Sequence, residues 1–146
     1  MSGKQKEPTD EEKVNAIVAE IRILEGTFNE LSARQNMLER ALLEARAALD
    51  AIKGLGETKE AEVLTQIGGG VLVRSPPPSV EKVLVNVGAN MVIEKPRDEA
   101  VAMLETRTRE VESTVISIQG QRNEIAERLE MDRQYLQTMV SQSQTS

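Results

Sequence analysis

The residues closest to ligand chemistry in this chain are glycines. "VLTQIGGGVLVRS" occupies residues 63–75, and "VLVNVGANMVIEK" follows at 83–95. A glycine cluster after an apolar strand can cradle a phosphate with its backbone N–H groups. That chemistry needs a strand running into a helix, with G-x-x-x-x-G-K-[ST] or G-x-G-x-x-G at the junction. Here a second apolar, strand-like run follows each cluster, and neither motif occurs. The two stretches align without a gap: Val63 with Val83, Leu64 with Leu84, Ile67 with Val87, Gly68 with Gly88, Leu72 with Val92 and Val73 with Ile93. Each copy reads as strand, glycine turn, strand. Gly68 and Gly88 supply the positive φ of a tight hairpin, and Asn90 tolerates it.

Other chemistry is poorly provided for. The chain has no His and no Cys. It therefore lacks the commonest general base, the commonest metal ligand and any thiolate. Carboxylates, lysines and Tyr135 remain for acid–base work, and most charges fall on helix faces where solvation accounts for them. A metal site would need carboxylates gathered in a cavity. The expectation is no enzyme, no cofactor and no metal. A net charge of −6 disfavours nucleic acid and anionic membrane as partners. "MSGKQKEPTDEEK" at the start has no apolar core, and no run of eighteen apolar residues follows, so a soluble cytoplasmic protein is expected. The absence of Cys agrees with a reducing compartment.

Phe28 and Tyr135 are the only aromatic residues among 146. So few rings, with abundant Ala, Leu, Glu, Arg and Gln, predict long helices rather than a compact core. From Val14 through Ile17, Ile21, Leu24, Phe28, Leu31, Gln35, Leu38, Leu42, Ala45 and Leu49 to Ile52, spacings of three and four alternate. Only Gln35 interrupts this apolar a/d seam of a coiled coil. Thr9-Asp10-Glu11-Glu12 has capping-box spacing after Pro8, and "KGLGET" at 53–58 is expected to stop the helix. A second seam runs from Val101 to Met139 with Thr108, Arg122 and Asp132 as its exceptions. Pro96, Asp98 and Glu99 suit its first turn. Read backwards, the seams coincide: Ile52 faces Val101, Leu42 faces Val111 and Val14 faces Met139. The prediction is an antiparallel coiled-coil hairpin with arms of roughly 60 Å; two helices of a globular bundle are the alternative. Gly26 and Gly120 both fall at the outermost position, as bends or as neutral surface residues.

The expected organisation is a disordered tail at 1–8, a helix at 9–53, a block at 54–96 with hairpins near 62–75 and 82–95, a helix at 97–140 and a disordered tail at 141–146. "SPPPS" at 75–79 forms a stiff spacer between the hairpins. An isolated hairpin is marginal in water and its edges invite pairing. Val63, Leu64, Ile67, Gly68, Val71, Val73, Val83, Val85, Val87, Gly88, Met91 and Ile93 are therefore expected to join strands of neighbouring subunits.

The seam's flanking positions suggest a second surface. Along the middle of the arms they hold mainly Glu, Arg, Gln and small residues, whereas Val18, Tyr135 and Val140 fall near the chain ends. With Val14, Ile17, Ile21, Met131, Leu136 and Met139, they give an apolar face wider than one partner helix covers. Such a tip suits non-directional binding of unfolded chains, with ordinary end-of-coil packing as the alternative.

Helix, two glycine-centred hairpins, helix: with Ile67-Gly68-Gly69, Val87-Gly88-Ala89 and Asp98-Glu99-Ala100 in place, the sequence over roughly residues 10–140 resembles the prefoldin α-subunit family of archaeal type. The triple proline departs from the family pattern. The resemblance implies an ATP-independent holdase of two α and four β subunits. It further implies hairpins assembled into β-barrels, coiled coils whose tips hold unfolded polypeptide, and transfer of that client to a group II chaperonin. A structural filament or spacer of the prefoldin-like γ type is the rival reading.

Overall fold

A computed structural model describes residues 3, 6–57 and 62–144. Its order is helix α1 (Asp10–Glu57), strands β1 (Val63–Gly68), β2 (Val71–Ser75), β3 (Lys82–Gly88) and β4 (Met91–Pro96), then helix α2 (Arg97–Gln144). The chain divides into two compact units. One comprises Met1–Leu38 with Thr114–Ser146, and the other Glu39–Ser113.

α1 begins where its capping chemistry starts it. Glu12 N donates to Thr9 Oγ1 and Thr9 N donates to Glu12 Oε2, each at 3.2 Å. Two otherwise orphaned donors are thereby satisfied. The helix does not stop at residue 53 as expected but continues through Gly54 and Gly56 to Glu57. Likewise α2 passes residue 140 and ends at Gln144, so 141–144 are helical rather than a disordered tail. The remaining expected tail residues, apart from Gly3 and 6–8, lie outside the described residues.

In the first unit, seam residues of both helices turn inward. Every predicted a or d position of the two arms, in this unit and in the other, is buried or half-buried. Heptad letters, with Val14 and Val101 as a, expose the direction of the pairing. Arg128 joins Glu20 at 2.7 Å, g to g, and Arg133 joins Glu25 at 2.9 Å, e to e. A parallel pair would match g with e. Like with like is what reversal of one helix produces. A polar layer crosses the same seam. Arg122 Nη1 donates to Gln35 Oε1 at 2.7 Å, Gln35 Nε2 donates to Gln119 Oε1 at 3.0 Å, and the Arg122 guanidinium lies 4.8 Å from the centre of the Phe28 ring. Polar groups at a positions cost stability and fix register, because a slipped pairing leaves them buried without partners.

The second unit repeats the pattern. Arg46 pairs with Glu112, and Lys53 with Glu105 at 3.3 Å, both e to e. Leu42 and Leu49 are buried on α1, as is Ala100 on α2. A strap closes this unit. Arg97 donates from Nε to the carbonyl of Ile52 and from Nη2 to that of Lys53, at 3.3 Å each, while its backbone N donates to Glu81 O at 3.0 Å. The guanidinium lies over bare backbone: a Cβ on Gly56 would come 2.7 Å from Arg97 Nε and nearer still to Cζ. Arg97 thus brings donors and positive charge near the end of α1, whose last turn holds no basic residue of its own.

Each hairpin is its own two-stranded antiparallel sheet. β1 pairs β2 from Val63↔Ser75 to Gly68↔Val71, and β3 pairs β4 from Lys82↔Pro96 to Gly88↔Met91. The register breaks at the equivalent place in both, past Gln66 and past Asn86. Ile67 and Val87 are therefore the bulged residues, and Gly68 (φ 118°) and Gly88 (φ 97°) close the bulges with a backbone that side chains resist. The loops themselves are Gly69-Gly70 and Ala89-Asn90, all four left-handed as a type I′ turn requires.

Candidate interaction surfaces

The described residues hold no group of three or more His, Cys, Asp or Glu side chains placed to hold a metal ion. No described helix is long and apolar enough to cross a membrane. What the molecule does present is apolar surface, in two chemically different forms.

The first form is the hairpins. Along β1 and β2 only Val63 and Ser75 are even half-buried; Leu64, Ile67, Val71, Leu72 and Val73 are exposed. On the second hairpin Val83, Val85 and Ile93 are half-buried, whereas Leu84, Val87, Met91 and Val92 are exposed, Leu84 by 74%. Alternation of period two would set Val87 on one face with Val83 and Val85; the bulge takes it out of that row. Leu72, Leu84 and Val92 were not among the expected assembly residues, yet they are exposed as well. Here both faces are apolar, and the sign of it was already present in the unbroken runs "VLV" at 71–73 and 83–85. Outward-facing backbone groups at the strand edges add unused donors and acceptors.

The second form is helical; besides the single exposed residues Ile23, Met37, Leu43 and Ile116, it gathers at the helix ends of the first unit. Val14, Ile17, Ile21, Leu136 and Met139 are half-buried on the seam. Val18, Met131, Tyr135 and Val140 are exposed, between 39% and 60%. The like-with-like register sets Val18 against Val140 at e and Lys13 against Tyr135 at g. An apolar pair thus takes the place that Glu25 and Arg133 fill with an ion pair one heptad further along. Asp132 sits on this seam, only 4% exposed, with Oδ1 3.5 Å from Arg128 Nε and Oδ2 without a partner. A buried carboxylate half-satisfied in this way costs stability. The hydrogen bond from Arg128 holds the Glu20 carboxyl below its usual range, and Glu20 in turn raises Arg128. Both groups face water, so the effect on stability is slight. A cleft of about 490 Å³ lies between the first turn of α1 and the last turn of α2, over Val14, Met139 and Val140. Nothing in the sequence marked that cleft, since it depends on how far α2 extends.

These surfaces have a known family setting. The sequence matches the Prefoldin family, described as "Prefoldin subunit", over residues 24–142. The chain belongs to the prefoldin family. It is 29% identical to the prefoldin subunit alpha of Nitrosopumilus maritimus, across 93% of this chain and 94% of that one. With the prefoldin subunit alpha of Methanoculleus marisnigri it shares 34% identity, covering 76% and 84%. Among solved structures it resembles a filamentous prefoldin from Methanocaldococcus jannaschii, with a TM-score of 0.64, 23% identity and coverage of 80% and 94%. The prefoldin beta subunit of Thermococcus strain KS-1 shares the fold, with a TM-score of 0.59 at 17% identity over 86% and 90%. Prefoldin membership supports a chaperone subunit that assembles with other prefoldin subunits.

Proposed function

We propose that this chain is the α-type subunit of a cytoplasmic, ATP-independent holdase that captures unfolded polypeptide on its helical tip and passes it to a group II chaperonin. The hairpins would join those of a second α and four β subunits into β-barrels. The observation that carries the reading is the apolar tip of the first unit, where Val18, Met131, Tyr135 and Val140 stay exposed beside a seam that buries Asp132 with Oδ2 unpartnered. Hydrophobic contact is non-directional and scales with area, Met adapts to clients of varied shape, and Tyr adds a large apolar ring. No nucleotide site is needed, because capture and release follow from weak, reversible burial.

The test is a variant with Val18, Ile21, Leu136 and Met139 all replaced by Ser. It should assemble to the same mass with its β-type partner and lose most of its capacity to suppress aggregation of a denatured client. Unchanged suppression by the assembled variant would refute the tip assignment.

A second reading has one observation in its favour: the similar Methanocaldococcus jannaschii prefoldin is filamentous. Electron microscopy of the purified chain alone separates the two. Long filaments favour a structural spacer, and small oligomers that grow only with a partner favour the holdase subunit.

A further inference from the structure

The cleft at the tip has a charge pattern that points to a class of client. Its floor is apolar, made by Val14, Met139 and Val140, and its rim carries Asp10 and Glu11. Across from them stands the C-terminal turn of α2, with Gln142 on the wall. That turn has no basic residue, and α2 holds no charged residue at all from Gln134 to Gln144. A helix ends in a partial negative charge that cations stabilise. The opposite, positive end of α1 is already answered by Asp10, Glu11 and Glu12, of which Glu12 is engaged in the cap. Carboxylates on one side and a helix C-terminus on the other therefore surround an apolar pit with negative potential.

We propose that this cleft takes the side chain of a lysine or arginine flanked by apolar residues in an unfolded chain. The long aliphatic stem of either residue covers the Val14–Met139 floor while its cationic head reaches the rim. The neighbouring apolar residues of the client lie along Val18 and Val140. An unfolded segment is favoured over a folded surface because an extended backbone lets charged and apolar neighbours enter the cleft together. This assignment rests on the client-capture reading of the tip and adds a preference to it. Exposed ion pairs are individually weak, so the preference is about threefold for each favourable change of charge.

The experiment uses the assembled oligomer and three fluorescent twelve-residue peptides with identical apolar positions, whose remaining positions are Lys, Gln or Glu. Fluorescence anisotropy should rank them Lys tighter than Gln tighter than Glu, with about tenfold between the extremes. The ranking should flatten near 1 M salt, where the screening length falls to roughly 3 Å. It should also flatten in Asp10→Asn/Glu11→Gln, with the Gln peptide bound as before. Equal binding of all three to the unaltered oligomer would leave client capture standing and overturn the charge preference. So would a ranking that survives high salt, which tests the point even if the double variant frays at its helix start. Failure of all three to bind would remove the capture reading and this inference together. Displacement of the Lys peptide by an equal concentration of a folded basic protein would refute the assignment to unfolded chains.

Discussion

The hairpins and the helical tip both expose apolar side chains, yet they invite different partners. On the strands, Leu64, Leu72, Leu84 and Val92 accompany edge backbone that still needs hydrogen bonds. A partner strand in register satisfies those groups, so pairing there is directional and durable. At the tip, Val18, Tyr135 and Val140 stand on helices whose backbone is satisfied internally. Such a face asks only for area, and any apolar chain provides it. On the proposed reading, one chain would separate permanent assembly from transient capture by presenting the same kind of side chain on two kinds of backbone.

The largest expected effect breaks the strand side of this contrast. Leu84→Asp puts a charge on an exposed position of the lone chain, so helix content by circular dichroism should not change. Burying that charge between subunits should weaken assembly by about 100-fold or more, read as loss of the oligomer in native mass spectrometry. Oligomer retained at working concentration would mean that this face of β3 is not covered.

A middle-sized effect sharpens the tip side. Asp132→Leu completes the apolar seam while Arg128 keeps Glu20 as its partner. The variant should gain about 1–3 kcal/mol of stability, seen as a higher melting temperature. A loss of stability would show that the buried carboxylate supports the packing rather than costing stability.

The smallest effect concerns the strap beside the strands and turns on sign. Gly56→Ala should cost about 1 kcal/mol in the unaltered chain, where the new methyl displaces the Arg97 guanidinium. In an Arg97→Ala background the same change should stabilise by up to about 1 kcal/mol, because Ala is the better helix former. Equal effects in both backgrounds, measured by urea unfolding, would show that Arg97 and Gly56 do not interact.

The regions differ in how they could be read from sequence. Spacings of three and four are local, so the seam from Val14 to Ile52 and its antiparallel match were legible, as were hairpins written twice in the same register. The end of α1 was not. Gly54 and Gly56 look like a stop, and what carries the helix past them includes Arg97, far along the chain. The end of α2 was missed because "SQSQ" has no apolar period to extend the pattern. Gln35 and Arg122 were visible as breaks in two seams, but their hydrogen bond across the coil depends on register and has no local sign. At the tip, the exposed flanking residues were legible from heptad position; the cleft between the helix ends was not.

Hydrogen–deuterium exchange on the isolated chain and on the assembled oligomer examines both surfaces at once. Assembly should slow exchange strongly in residues 63–75 and 82–96 and leave 10–24 and 129–144 as they were. If the helix ends become protected on assembly while the strands keep exchanging, subunits join through the tip, and the division between durable strand pairing and a free helical tip is wrong.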